Sequence, residues 1–433
     1  MLDARNGKLL ASLTLPNNSW LPANRSWERM QNPGRILLAV SKIINSLLKQ
    51  NGNATGIGIT GQMHGILYVD AKGRGVSPLF TWQDARGSLK MKNEASYAAD
   101  LSRRTGYLLA PGFGLVTHYF NIKNGLVPPS AKSLGTIADY VAMRLARRTH
   151  LSSDLTNAAS LGIFDLNHLR FDSGVINSAR LRPDLLPRLV PTGTKIGATA
   201  EGVSIFSAPG DNQASILGSV RDVKKSLLVN IGTGGQISAW LPACRRIAGL
   251  DLRPFPGGGY IAVGASLCGG KAYALLEQFF REVCVRFAGC APKDFYLIMN
   301  KLDAAVEPLR VDTRFSGTRL DASIRGTIAG ISMSNFTPSH LVEGFLKGMV
   351  DELNVFYHLM PPRTRRQVSM LVGSGNGIRL NRRLRAKVEQ VFGMRVNIPA
   401  QCEEAATGAA LTAAVGAGFF KSYFEAGKII KYQ

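Results

Sequence analysis

The stretch Val229-Asn230-Ile231-Gly232-Thr233-Gly234-Gly235-Gln236-Ile237-Ser238 limits what this chain can fold into more than any other. An apolar run enters a Gly-Thr-Gly-Gly turn and leaves as a second run, which predicts a β-hairpin. The glycines at its tip allow positive φ, so successive N–H groups can converge on a phosphate, with the Thr233 hydroxyl beside them. An ordinary glycine-rich hairpin turn carries the same residues. Just upstream lies Ala208-Pro209-Gly210-Asp211-Asn212-Gln213-Ala214-Ser215, a carboxylate on a turn with two amides next to it. Asp211 can take a proton from a hydroxyl, or it can cap its own turn. A base followed by a phosphate cradle points to phosphoryl transfer to an alcohol.

Two more glycine steps join the hairpin. Val372-Gly373-Ser374-Gly375-Asn376-Gly377 reads as a strand entering a glycine-rich loop, with a helix starting near Asn381. A nucleotide can lie against such backbone. The loop is neither a P-loop nor a dinucleotide fingerprint, because no Gly-Lys-Ser/Thr follows and the glycine spacing differs. Cys268-Gly269-Gly270 precedes another helix and is a candidate to line the same site. On the other side of Asp211, Gly61-Gln62-Met63-His64-Gly65 and Thr81-Trp82-Gln83-Asp84-Ala85-Arg86 are polar loops with an apolar wall. A polyol needs paired donors and acceptors for its hydroxyls and a soft face for its C–H side. Gln62, His64, Asp84 and Arg86 offer the first, and Met63 and Trp82 the second. His64 fits binding a hydroxyl better than moving a proton.

The chain has 433 residues, of which 45% are hydrophobic and 19% charged, enough for about two or three domains. Its formal net charge is +23. The basic residues come in scattered pairs such as Arg103-Arg104 and Lys224-Lys225, without interleaved aromatics. That pattern argues against a nucleic-acid platform and suits a surface that attracts phosphorylated ligands. The five cysteines include no Cys-x-x-Cys pair, which speaks against a disulfide framework or a zinc site and for a reducing, cytoplasmic setting. No apolar signal core opens the chain. The uncharged run Ala405 to Phe420 is short and rich in Ala and Gly, so a tightly packed core helix is expected rather than a membrane span.

Strands alternate with helices along the chain, which indicates an α/β fold. Expected elements include a strand over 8–15, a helix after Pro33-Gly34, a strand over 57–60 returning at 66–70, and a helix over 131–148. Beyond Asp211 the expectation is a hairpin over 227–241, a strand over 260–264 and helices over 270–288 and 338–359. A strand over 368–372, a helix over 380–391 and a last helix after Glu403-Glu404 complete it. The division falls near 219–225, giving domains 1–220 and 221–433 with the substrate cleft between them.

Taken in order, GQMHG, TWQDAR, GDNQAS, NIGTGGQIS and VGSGN with EEAATGAAL resemble the FGGY carbohydrate kinases of the actin-like ATPase superfamily. The resemblance spans nearly the whole chain. Thr81-Trp82-Gln83-Asp84 is nearer to the sedoheptulokinases than to the Trp-Asn-Asp form of xylulokinases, and so are 106–119, 135–141 and Asn157-Ala158-Ala159-Ser160. The resemblance implies two ribonuclease-H-like domains around a cleft, ATP with Mg²⁺, and transfer to a primary hydroxyl of a ketose, sedoheptulose first among them. It implies Asp211 as base, with Asn212 beside it. Gln62, Met63, His64, Trp82, Asp84 and Arg86 fall to the sugar. Gly232, Thr233, Gly234, Gly269, Gly373, Gly375 and Asn376 fall to the nucleotide. Another ketose kinase and an inactive sugar or nucleotide binder are the alternatives.

The family also opens with a strand carrying Asp-x-Gly-Thr-Thr-Ser, whose Asp helps to hold Mg²⁺. This sequence has no such motif and begins at what resembles the second strand of that hairpin. A first domain lacking its first strand is expected, and no metal ligand is assigned. An incomplete chain is the preferred explanation, ahead of a form without catalysis and of compensation by another residue.

Overall fold

The computed structural model describes every residue except Asn53, Asn93, Ala291, Arg319, Leu320 and Ala322. The chain forms two compact units. The first comprises Met1–Arg221, Arg253–Gly259 and Gln401–Ile430. The second comprises Asp222–Leu252, Tyr260–Ala400 and Lys431–Gln433.

Unit 2 is built on a six-stranded sheet in the order 251–254, 260–266, 235–241, 226–231, 370–374, 396–397. The expected hairpin is its centre: Ser226–Ile231 and Gly235–Leu241 pair antiparallel from Leu227↔Ala239 to Ile231↔Gly235. Met370–Ser374 lies parallel to the first of them. Strands covered on both faces read as continuous apolar runs, and Leu227, Val229, Ile231 and Leu371 are fully buried. Each such side chain contributes about 1.5–3 kcal/mol of burial. Helix Pro338–Leu359 begins where Thr337 accepts from the His340 amide with Pro338 in the first turn, and it covers the sheet with Val342, Leu346 and Val350. The expected helix over 380–391 is Arg382–Phe392, and a short helix Gly375–Leu380 precedes it where a glycine-rich loop was expected. Asn381 divides them because its side chain caps the second through the Leu384 amide.

Unit 1 has shorter ladders. Lys195–Ala198, Ser204–Phe206 and Gly56–Ile57 form one three-stranded sheet. The strand expected to return from 57–60 does not pair with it: Leu67–Val69 joins Ser133–Gly135 instead. Likewise the helix expected over 131–148 starts only at Ile137. Thr136 and Asp139 form a reciprocal capping box there, and such a box sets a helix start regardless of the apolar pattern upstream. The strand expected over 8–15 is limited to Lys8–Leu9, whose ladder partner is Leu2–Asp3. Gly56–Ile57 lies at the edge of its sheet. Just beyond it, Ile59 and Thr60 line an open groove of about 600 Å³ with Val40, Ile43, Ile137 and Val141.

The uncharged C-terminal run is the packed helix Glu404–Gly416. It packs within unit 1. The reason is a backbone contact with helix Asp211–Ser219: a Cβ on Gly218 would lie 1.9 Å from Glu404 O, and one on Gly408 1.8 Å from Ala214 O. Only two glycines let helices approach this closely. No helix among the described residues is long and apolar enough to cross a membrane.

Candidate functional site

In unit 1, Asp211 is the first residue of helix Asp211–Ser219, where the helix dipole favours a carboxylate. Burial pushes its carboxyl above the ordinary range, while the Arg253 guanidinium pulls it down. Asn212 follows in the same turn, and Gln213 anchors the helix by donating to Pro254 O at 3.1 Å. Before Asp211, the chain runs beside the Gln62–Gly65 loop: Gly61 bridges Gly210. A Cβ on Gly210 would meet the Met63 sulfur at 2.6 Å. Met63 is buried there as an apolar floor.

His64 sits at φ 71, and the Gly65 amide donates across it to Met63 O at 2.8 Å. This is a γ-turn of positive φ, a rare and strained conformation that costs about 1–3 kcal/mol and persists only where its surroundings enforce it. Ser160 does so. Its hydroxyl accepts the His64 amide at 3.0 Å, and its carbonyl lies 2.7 Å from Nδ1. The ring stacks on Phe113 with centroids 4.8 Å apart. A carbonyl cannot donate, so Nδ1 carries the proton and Nε2 is the acceptor nitrogen of the neutral ring.

Trp82 is 52% exposed and is available as an aromatic face. Asp84 and Arg86 are buried and paired with each other. Their side chains are 0% and 3% exposed, and Arg86 donates through Nε at 2.6 Å and Nη2 at 3.2 Å to the two Asp84 oxygens. Asp84 also accepts the Arg29 amide, and Arg86 reaches Asn121 and lies over the Phe80 ring. A desolvated ion pair is tolerable only when satisfied this fully, so the pair braces the Trp82 loop instead of gripping hydroxyls. Gln62 is also engaged, donating to Gln31 at 2.7 Å.

In unit 2, three glycine steps meet at the hairpin tip. The Gly270 and Lys271 amides at the start of helix Gly269–Ala288 donate to Gly232 O at 2.9 Å and Thr233 O at 3.0 Å. The Gly232 amide donates within the turn to Gly234 O at 3.0 Å, so the tip presents its remaining amides and the exposed Thr233 hydroxyl, the chemistry an anion needs. A Cβ on Gly269 would fall 2.3 Å from the Gly234 carbonyl carbon, whereas one on Gly232 would meet nothing within 4 Å. Gly375, at φ 82, brings the third step against Ile231 O, and Asn230 fixes it by donating to the Ser374 hydroxyl at 2.7 Å. Asn376 is exposed beside it. Gly373 is buried for packing instead, since a Cβ there would strike Val396 and Ile378. Sequence reading missed Glu352, a half-buried carboxylate that accepts from Ser266 at 2.7 Å beside this tip. It also gave no role to Ser160 or Phe113, because nothing local marks a residue whose partner, His64, lies about fifty to a hundred positions away.

Among the described residues no three His, Cys, Asp or Glu side chains converge as a metal cage. The donors present do not fit a resident protein-held Mg²⁺. A Mg²⁺ ion bound chiefly by water and substrate phosphates needs no such cage.

Residues 1–228 match the N-terminal domain of the FGGY family of carbohydrate kinases. The chain belongs to that family. It is therefore a phosphotransferase acting on a carbohydrate, and kinase chemistry implies ATP. It is 28% identical over 428 residues to the sedoheptulokinase of Mus musculus, covering 88% of this chain and 86% of that protein. Its fold matches that of a ligand-bound xylulose kinase from Lactobacillus acidophilus with TM-score 0.84 at 20% identity, covering 100% of this chain and 89% of the other. A Plasmodium falciparum glycerol kinase with ADP matches with TM-score 0.79 at 18% identity, covering 98% and 87%. These likenesses give both units the actin-like, ribonuclease-H-like fold of sugar kinases.

Proposed function

We propose that this FGGY kinase transfers the terminal phosphoryl group of ATP to a primary hydroxyl of a ketose, with sedoheptulose as the preferred acceptor and Asp211 as base. One observation carries the base assignment: a carboxylate on the first turn of a helix, raised by burial, stands next to a strained His–Met loop suited to a polyol. Asp211 accepts the acceptor's proton as its oxygen bonds to phosphorus and the bond to the departing ADP breaks. His64 Nε2 accepts from a sugar hydroxyl, Met63 and Trp82 flank the C–H face, and Asn212 lies beside the base. ATP would rest on Gly232, Thr233 and Gly234, supported by Gly269, with Gly375 and Asn376 toward the nucleoside. The likeness to the mouse sedoheptulokinase supports the seven-carbon sugar, and the likeness to xylulose kinases supports a second reading with a five-carbon ketose. The test is ADP release with Mg-ATP and sedoheptulose, xylulose or ribulose in separate reactions. Higher kcat/KM with sedoheptulose supports the proposal. Preference for xylulose or ribulose moves the assignment to that sugar, and no turnover with any of them leaves a binder of sugar or nucleotide.

A further inference from the structure

The geometry points to Thr156, held by the buried carboxylate of Asp154, as the positioning residue that aims Asp211, and this rests on the reading of Asp211 as base. The turn before Asp211 is gripped at each residue by a side chain. Asn157 Nδ2 donates to Ala208 O at 2.8 Å. Thr60 Oγ1 donates to Pro209 O at 2.8 Å. The Gly210 amide donates to Thr156 Oγ1 at 2.9 Å. Of the three, the Thr156 contact is the one next to Asp211, and it has a direction built in. Its hydroxyl proton goes to Asp154 Oδ1 at 2.7 Å, so its lone pair is turned to the Gly210 amide.

Asp154 is itself over-determined. It is fully buried and accepts from the Thr156 amide, Thr192 Oγ1 and Ser207 Oγ at 3.0 Å each. An ionised carboxylate accepts at every lone pair and donates nothing. In its ionised form Asp154 draws the Thr156 and Thr192 hydroxyls inward, Thr156 being the one that holds the turn, while the Ser207 hydroxyl is shared with Pro191 O at 3.1 Å. Buried charge without a cation is costly; burial raises its carboxyl and the four donors oppose that rise. Such a group in a family enzyme, immediately under the turn of the proposed base, is better explained by orientation than by stability, since an apolar pair of the same shape would hold the core without that cost.

The same short helix, Leu155–Ser160, carries a second grip at its other end. There Ser160 holds the strained His64 turn. One rigid turn of helix thus sets the base and the sugar-binding imidazole in register. Errors of about 1 Å in such a register lower turnover by roughly 100-fold.

The experiment compares Thr156→Val, Thr156→Ser and Asp211→Asn in the full chain, reading amide exchange, melting temperature and steady-state kinetics. Thr156→Val is expected to speed exchange of the Gly210 amide at least tenfold, with exchange in unit 2 unchanged. It should lower kcat about tenfold while KM for ATP and for the ketose changes less than twofold. Thr156→Ser, which keeps the hydroxyl, should restore both. In the Asp211→Asn background, adding Thr156→Val should cause no further loss, because a residue acting through Asp211 has nothing left to aim. Unchanged exchange at residues 208–213 in Thr156→Val overturns the inference whatever the activity. So does an additive loss in the double variant, which marks a general structural role. If Asp211→Asn alone turns over normally, the base reading falls, while the exchange result still decides whether Thr156 holds the turn.

Discussion

Asp211 combines two demands that pull apart. As the proposed base it must be ionised, yet burial disfavours its charge and raises its carboxyl above the ordinary value of 3.8, with Arg253 only partly offsetting this. The sign follows: activity is lost as pH falls through the raised value, so the acid limb of kcat against pH lies above 3.8. Replacing Asp211 with Asn should lower kcat by about 10³-fold, the scale of a missing general base, with ATP affinity retained by calorimetry. For stability the sign is opposite. A carboxyl raised in the folded state favours folding while protonated and loses that advantage as pH rises. Asp211→Asn should therefore melt no lower than the parent protein at pH 8. A large drop in melting temperature there would make Asp211 a structural cap instead. His64 teaches a related point. Its loop was legible as a sugar-side candidate from Gly61-Gln62-Met63-His64-Gly65, but its positive φ and the Ser160 grip that enforces it were not. Asp84 and Arg86 show the reverse, since two charged residues in a polar loop read as ligand contacts until burial pairs them with each other.

At the scale of elements, the strong signals were local and the weak ones were not. The hairpin, the helix Pro338–Leu359 and the C-terminal small-residue helix follow from apolar runs, a Thr cap and close glycine packing. Where a short apolar stretch could pair with more than one neighbour, sequence order misled: Leu67–Val69 follows the strand Gly56–Ile57 yet pairs with Ser133–Gly135. The contact between helices Asp211–Ser219 and Glu404–Gly416 shows how tightly element packing constrains the site. Gly218 and Gly408 bring the two backbones together, and the first of these helices carries Asp211. Gly218→Ala places a methyl against backbone that has no rotamer to yield. It should destabilise the chain by about 1–3 kcal/mol in urea unfolding, with turnover falling alongside. A change under 0.5 kcal/mol, about the size of an ordinary surface substitution, would mean that the helices slide apart freely.

Across the whole molecule, the dominant physical fact is the net charge of +23. Like charges on a compact chain repel, and salt screens them over about 10 Å at 0.1 M. Raising NaCl from 20 to 300 mM should therefore raise the melting temperature by a few degrees, and should also lower kcat/KM for the polyanionic ATP by roughly tenfold or less. No rise in melting temperature would show that the opposite-charge contacts around Asp100 and Glu343 already neutralise the repulsion locally. The sequence by itself determined the α/β class, from alternation along the chain, and the glycine steps of the proposed phosphate cradle and the carboxylate on its turn, each encoded within about ten consecutive residues. Tertiary structure alone decided which candidates are exposed, which are engaged in buried pairs, and that residues 401–430 pack with the first unit. Those outcomes depend on residues dozens to hundreds of positions away, which bury even a pair as local as Asp84 and Arg86, and burial changes the energy of a charge or a hydrogen bond only once the chain has brought them together.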